Sequence, residues 1–381
     1  MLKQIYMLVN DPGTVGGIQR VIAALSSGFR TQGYEVTVVG VRRPLDGRIL
    51  LPEPGVAYDF PFPTAWMPTR LTQFISKFGM KFERALLPAH WIFKRRLARI
   101  VREKPGHIIA MDVFVAELSA QVTVPTGATK VVQFHNSFDA LSGTRDFDRL
   151  MRIVGHYDYL LALTEGDATS FAASTSTRVL AMPNPLPFAP AQRARSNADP
   201  TSKSVVSVGR LEPHKGFGLL IDSWGAIPQS SRDGWTLRII GEGEQFDILA
   251  NQVVSLGLSE TVTLAGRSND VQFELQNADF LVLASEYEGL PMVLLEAMSQ
   301  SVACIATESS VGVAALLGEE RGLLVPVGDG ATLTQALEEL IRHPERRSAF
   351  AKAGYEKSKE FELGVTVDRW LTLLRGAGST Q

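Results

Sequence analysis

Residues 286–300 read EYEGLPMVLLEAMSQ and follow the apolar run FLVLA at 280–284. That run is short and rich in branched and aromatic residues, the composition of a strand buried on both faces of a parallel sheet. Gly289 then permits a tight turn, and Pro291 suits the first position of a helix, where its missing N–H would go unpaired anyway. The stretch therefore predicts strand, turn, helix. A helix starting near Pro291 aims its unpaired N–H groups and the positive end of its dipole at the carboxyl edge of the sheet, a natural seat for phosphate. Glu288 falls in the turn and Glu296 about a turn and a half into the helix. One carboxylate can thus face a polyhydroxy group beyond the phosphate and the other a hydroxyl-bearing group on its near side. Sugar, diphosphate and ribose in a row have that layout; an exposed turn glutamate with a solvated helix glutamate is the alternative.

Composition sets the frame. A chain of 381 residues exceeds the ~100–200 typical of one domain, so two domains are expected. With 45% hydrophobic residues it can fill two cores, and a net charge of −2 gives no support for nucleic acid as a partner. Cys304 stands alone in VACIAT, read as a buried strand, so no internal disulfide forms and a reducing cytoplasm suits the chain. The opening MLKQIYMLVN runs straight into a strand without the features of a signal peptide. No apolar run approaches the ~20 residues that cross a bilayer.

Along the chain, strands and helices alternate. QIYMLV at 4–9 is followed by the loop NDPGTVGG and an apolar pattern at Ile18, Val21, Ile22, Leu25 and Phe29, then by a strand at 35–41. The loop lacks the G-x-G-x-x-G spacing of a dinucleotide-binding turn, and no P-loop occurs. Residues 44–65 read as an irregular connection. From 66 to 104 ten basic residues stand against Glu83 and Glu103, with six Trp and Phe interleaved. Such a stretch fits an anionic bilayer or polyanionic acceptor, or else two ordinary helices with a solvated basic face. Strands are expected at 107–110 and 130–134, the second ending on His135, where ligands bind in doubly wound folds. Asp146-Phe147-Asp148 lies in the helix-like run TRDFDRLMRIV, away from a strand end, and is not read as a metal site. Residues 159–163 and 179–182 continue the alternation, and 184–203, dense in Pro, Ala, Ser, Asn and Arg, reads as the linker.

The second half opens with a strand at 205–208 and GRLEPHKG, which places Arg210 and Lys215 at the same carboxyl edge as Glu288. TLRIIG at 236–241 brings Gly241 to that edge, and the strand at 262–265 brings Gly266 and Arg267. A further strand at 322–325 and two helices, the last holding Trp370, Leu371 and Leu374, close the chain.

Two acids eight positions apart, in EGLPMVLLEAMS, resemble the E-x7-E signature of retaining glycosyltransferases with the GT-B fold, in particular family 4, and GRLEPHKG is similar to that family's GR-x-x-x-x-KG motif. The resemblance covers nearly the whole chain and is strongest in its second half. It implies an α/β protein of two Rossmann-like domains facing across a cleft: 1–183 on the acceptor side, a linker at 184–203, and 204–361 binding the nucleotide sugar, with a C-terminal helix at about 362–381 crossing back to the first domain. It implies transfer of a hexose, glucose or N-acetylglucosamine, from a nucleoside diphosphate sugar, UDP-linked in preference to GDP-mannose, with retention and without a metal or other cofactor. Arg210 and Lys215 would hold the diphosphate with the helix start at Leu290, Pro291 and Met292, Glu288 and Gly289 would face the sugar, and Glu296 the ribose. Gly16 and Gly17 would give a bare backbone opposite the donor, Gly241 would line the site, Arg267 would lie beside the base, and His135 would bond a sugar hydroxyl. Asn184 and Pro185 resemble the family's end of the first domain. GGIQRVIAAL and FHNSF look like members acting on polyol-phosphate polymers such as teichoic acids, so a polymeric or lipid-linked acceptor is expected, with the protein in the cytoplasm or against the inner face of the membrane. A sugar-nucleotide epimerase of the same fold and a non-catalytic scaffold are the alternatives; the first lacks this wording, and the second would be expected to lose one or more of these four motif residues.

Overall fold

The structure is a computed structural model that describes residues 2–12, 17–41, 55–59, 87–191 and 203–376. Gly16, residues 66–86 of the basic stretch and 192–202 of the expected linker lie outside them. The chain forms two compact units, Met1–Pro185 with Leu363–Gln381, and Leu186–Glu362.

The first unit is built on β1 (Gln4–Val9), β2 (Glu35–Gly40), β3 (Ala57–Asp59), β4 (His107–Ala110), β5 (Lys130–Gln133), β6 (Tyr159–Ala162) and β7 (Arg178–Ala181). They pair in parallel in the order β3-β2-β1-β4-β5-β6-β7. All six residues of β1 are buried, because helices cover both faces of the sheet. On one face the helix Gly17–Thr31 sets Val21, Ile22, Leu25 and Phe29 into the core with Val367, Trp370, Leu371 and Leu374 of the helix Leu363–Gly376. Phe29 meets Trp370 edge-on at 6.2 Å, so the chain's last helix is part of this first core. Strand β3 falls in the stretch read as irregular. One exposed and two half-buried residues on an outer strand carry too little alternation to be seen in a sequence.

In the second unit β8 (Lys203–Val208), β9 (Trp235–Ile240), β10 (Val262–Gly266), β11 (Phe280–Leu283), β12 (Ala303–Thr307) and β13 (Leu323–Val325) form a parallel sheet. Its order is β10-β9-β8-β11-β12-β13. In both sheets the first strand is central and the order reverses beside it, between β1 and β4 and between β8 and β11. The loops that part at such a reversal leave a crevice at the carboxyl ends, where ligands of doubly wound folds bind.

Two features differ from expectation. The beginning of the expected linker is docked on the second unit: Leu186 N donates to Phe361 O at 2.8 Å, and Ala191 N to Ser299 O at 2.8 Å. Backbone donors that find carbonyls on a neighbouring helix end are held there whatever their composition suggests. Within the basic stretch, the helix Leu87–Glu103 buries Phe93, Leu97 and Val101 and exposes Trp91, Arg95, Arg96, Arg99 and Arg102. Arg95 lies over the Trp91 ring at 4.2 Å. Among the described residues no helix is long and apolar enough to cross a membrane.

Candidate functional site

The crevice of the second unit is walled by the loops that leave β8 and β11. After β8, Gly209 N bonds Ile240 O at 3.0 Å and Leu211 N bonds Glu242 O at 2.9 Å, so this loop is laced to the loop after β9. A Cβ on Gly241 would run into the Gly209 carbonyl oxygen, which is why a glycine is needed there. The loop ends in a turn at Pro213–Lys215 and Gly216, whose φ of +67° is left-handed and whose absent Cβ lets it lie against the Ala284 carbonyl. Close approach of Gly216 to the end of β11 brings the two walls together. Glu286 N donates to His214 O at 2.8 Å, and the His214 ring stacks on Tyr287 with centroids 4.4 Å apart and planes 12° from parallel.

Held so, Lys215 Nζ reaches Glu288 Oε1 at 2.7 Å, and Ser285 Oγ donates to the same oxygen at 2.7 Å. Their side chains are only 19% and 12% exposed, so this pair is screened far less than the usual surface ion pair. Arg210 follows β8 directly and is 71% exposed; it pairs with Glu212 Oε1 at 2.5 Å, while the other Glu212 oxygen lies 3.6 Å from His214 Nδ1. Beyond Glu288 the chain turns through Gly289, whose carbonyl accepts from Ser310 Oγ at 3.0 Å, and enters the helix Met292–Ser299 with Pro291 at its cap. Leu290 and Pro291 are buried and Met292 half-buried, so the helix start is fixed by packing. Glu296 points into the fold and is 1% exposed.

The residues expected at this edge therefore divide. Lys215 and Glu288 touch, and Gly289, Leu290, Pro291 and Met292 continue from them into the helix. Arg210 shares their loop but is tethered to Glu212, and Gly241 supports that loop from the side of β9. Arg267 is exposed at the end of β10, with β9 between it and β8. Sequence reasoning missed Ser285, Glu212, His214 and Tyr287. Ser285 stood two residues after β11 and three before Glu288, which was signal enough; the stack depends on two loops meeting and left no trace in either.

The crevice of the first unit is chemically different. A pocket of about 470 Å³ opens among Asn10, Asp11, Asp112, His135, Asp146 and Arg149. Asp112 caps the helix Val113–Ser119 through Val115 N at 2.9 Å and accepts from Asn10 N at 3.0 Å, joining the loops after β1 and β4; burial raises its pKa. Arg149 donates to Glu117 Oε2 at 2.6 Å and Asp146 Oδ1 at 2.9 Å. Asp146 and Asp148 lie in the first turn of the helix Arg145–Ile153, the former as a partner of Arg149. Neither ring nitrogen of His135 meets a partner at hydrogen-bonding geometry, and Asn184 beside the ring offsets only part of the burial that lowers its pKa to about 4. The imidazole is thus neutral at pH 7, with one N–H to give and one lone pair to receive. Gly17 begins its helix with open space where a Cβ would stand. Asp112 was missed, although it ends β4 as His135 ends β5.

Comparison with known proteins agrees with this layout. The family of glycosyl transferases group 1 matches residues 188–357, which carry every loop of the second unit's crevice. The chain is 25% identical to an uncharacterized glycosyltransferase of Haemophilus influenzae, over 98% of this chain and 100% of that one. It is 24% identical to the amylovoran biosynthesis glycosyltransferase AmsD of Erwinia amylovora, over 98% and 100%. A variant of S. aureus TarM, solved with fondaparinux, α-GlcNAc-glycerol and UDP, superposes with a TM-score of 0.79 at 13% identity, covering 98% of this chain and 100% of that one. Two Rossmann-like units of parallel sheet with these likenesses define a glycosyltransferase of the GT-B fold. Residues 188–357 are its glycosyl transferases group 1 domain.

Proposed function

We propose that this glycosyltransferase moves a hexose, glucose or N-acetylglucosamine, from a UDP-linked donor to a hydroxyl of a cell-envelope polymer or lipid-linked glycan, with retention of configuration as in family 4. The observation that carries the reading is the contact of Lys215 with Glu288 beside a helix start, at the point where the strand order of the second sheet reverses. A cation and a helix N-terminus there suit a diphosphate, and a carboxylate within reach suits sugar hydroxyls.

In this reading the bond from the sugar's anomeric carbon to the diphosphate breaks, and negative charge gathers on the departing oxygen. Lys215, Arg210 and the backbone N–H groups of Leu290 and Met292, on either side of Pro291, face that charge, so the reaction calls for no metal ion. Preorganised groups of this kind are each worth about 3–4 kcal/mol of barrier. Glu288 orients the sugar and Glu296 the ribose, and Gly241 and Arg267 border the nucleotide. Neutral His135 bonds a hydroxyl. The departing phosphate takes the proton of the incoming hydroxyl on the same face as the new bond forms. The UDP and α-GlcNAc-glycerol held by TarM and the part of AmsD in amylovoran biosynthesis support these kinds of donor and acceptor. The exposed Trp91 and Arg95 support peripheral contact with the inner face of the cytoplasmic membrane.

The test is to incubate the purified chain with UDP-glucose, UDP-N-acetylglucosamine and GDP-mannose, with and without glycoside acceptors, and to read products by NMR. Acceptor-dependent release of UDP with an α-linked product is expected. GDP-mannose as the preferred donor would move the donor assignment, an epimerised donor without acceptor would make the chain an epimerase, and no turnover of any donor would sink the reading.

A further inference from the structure

Strand β11 leads to Glu288 from its carboxyl end and runs out of backbone partners before it gets there. Pairing with β8 stops at Leu281 opposite Val206, and pairing with β12 stops at Leu283 opposite Ala306. Side-chain hydroxyls from both neighbours then take over. From β8, Ser207 Oγ donates to Val282 O at 2.7 Å. From β12, Thr307 Oγ1 donates to Ser285 O at 2.5 Å, with Leu283 O further off at 3.4 Å. The backbone of Thr307 is paired with Val325 of β13 on the far side, so the hydroxyl is its link to the end of β11. Ser207, Ser285 and Thr307 are all buried, where a hydroxyl is costly unless it is bonded.

Ser285 passes this support on to the carboxylate. Its carbonyl is held by Thr307, and its own Oγ donates to Glu288 Oε1, the oxygen that also takes Lys215 Nζ, each at 2.7 Å. Two donors fill the two lone pairs of Oε1. Among the described residues none bonds Oε2, so that oxygen alone is left to accept. Lys215 by itself would not fix this choice, because an ammonium on a flexible stem is a point charge that either oxygen satisfies. Ser285 offers one hydroxyl on a short, buried side chain, so its bond has a direction. The end of β12 ties the turn on both sides of Glu288, through Thr307 to Ser285 and through Ser310 Oγ to Gly289 O.

We infer that Thr307 and Ser285 are positioning residues: they hold Glu288 with Oε1 occupied and Oε2 turned to the sugar of the donor, and so govern recognition of the sugar and not of the nucleotide. This rests on the proposed transfer from a nucleotide sugar and deepens it, by assigning the aim of the carboxylate to two hydroxyls that touch no substrate. A carboxylate locked in one orientation before the donor arrives loses nothing to reorientation when the sugar binds. For a purely structural pair, removal would weaken nucleotide and nucleotide sugar alike. For a positioning pair the loss falls on the sugar, because UDP without its sugar gives Glu288 nothing to hold.

The experiment compares Ser285→Ala, Thr307→Val and Thr307→Ser in the full chain. Calorimetry sets UDP-glucose and UDP-N-acetylglucosamine against UDP, and GDP-mannose against GDP. Ser285→Ala weakens the nucleotide sugar that wild type prefers by at least about tenfold, as for a lost hydrogen bond to a charged group, and keeps its free nucleotide within about twofold. Thr307→Val keeps the shape, removes the hydroxyl and weakens the nucleotide sugar by at least about threefold, again with the free nucleotide unmoved. Thr307→Ser restores the hydroxyl and stays within about twofold of wild type. In a Glu288→Ala background Ser285→Ala adds less than about twofold, since nothing is left to aim. Equal losses for nucleotide and nucleotide sugar, normal binding in Ser285→Ala, or the same loss from Ser285→Ala without Glu288 overturns the inference. Should Thr307→Val fail to fold, Ser285→Ala and its double variant with Glu288→Ala decide alone. A wild type that binds no nucleotide or nucleotide sugar overturns the donor assignment and this inference with it; one that binds its donor while Ser285→Ala binds it equally well overturns the inference only.

Discussion

The two units place a crevice at the same point of the same topology and furnish it oppositely. Where β8 and β11 part, backbone bonds and two obligatory glycines clamp the loops, and a cation is locked against a carboxylate. Where β1 and β4 part, the loops are joined through the Asp112 side chain, the lining is acidic, and buried polar atoms stand without partners. A parallel sheet supplies only the position of a site. The side chains furnish each position differently, and the contrast can be tested at four points.

The strongest test removes the charge pair. Lys215→Ala and Glu288→Ala should each lower turnover by about 100-fold or more, as when a preorganised charge contact is deleted. Circular dichroism should show the fold intact, because both side chains lie at a loop and not in the core. Steady-state assay of UDP release checks this, and near-normal rates in both variants would break the assignment of this crevice to the donor. The same substitution in the other crevice, Asn10→Ala, should leave UDP binding alone.

The glycines sharpen the comparison through stability. Gly216→Ala sets a Cβ against the Ala284 carbonyl in a left-handed conformation. Left-handed strain of about 1–2 kcal/mol adds to an overpacking penalty of about 1–3 kcal/mol. Thermal unfolding of the second unit should fall accordingly. Gly17→Ala meets open space, so it should not lower stability; if it nonetheless slows transfer, the glycine is there for a ligand and not for the fold. A Gly216→Ala protein as stable as wild type would show that the two loops are not clamped as described.

These residues also show what a sequence can and cannot carry. FLVLA, EGLP and GRLEPHKG put Lys215 and Glu288 on one edge, because a strand end and a turn fix where the next side chain stands and the interval is a few residues. Strand β1 and the helix Met292–Ser299 were legible for the same local reason. The stack of His214 on Tyr287, the bond of Asn10 to Asp112 and the docking of residues 186–191 join positions far apart in the chain, and nothing in either partner's neighbourhood announces the other. Arg210 was legible in place but not in state: its tether to Glu212 is a matter of rotamer, which spacing does not reach.

Acid tests the first unit. His135 is held neutral, with a pKa of about 4 in the folded chain against ~6.5 when unfolded. Between those values the unfolded chain binds the extra proton, so stability present above pH ~6.5 is lost as pH falls towards 4, by at most about 3 kcal/mol for this residue. Burial lowers the pKa of His107 too, so part of the slope has a second source. Denaturant unfolding at pH 7 and pH 5 should show a smaller difference in His135→Gln than in wild type. An unchanged difference would mean that the ring is not sequestered.

The smallest effect belongs to the stacked pair. His214 and Tyr287 lie in different loops, and Tyr287 is 51% exposed, so its loss opens no cavity in the core. An aromatic pair of this geometry is worth about 0.5–1.5 kcal/mol. Since the stack holds the walls that bring Lys215 to Glu288, Tyr287→Ala should raise the donor KM by about two- to tenfold, the same range of free energy at 1.4 kcal/mol per decade. Tyr287→Phe keeps the ring and should stay within about twofold of wild type. Turnover at saturating donor should change little in either variant, because the charge pair itself is untouched. If Tyr287→Phe were as impaired as Tyr287→Ala, the hydroxyl and not the stack would be what matters, and the clamp between the two loops would rest on the backbone bond from Glu286 to His214 alone.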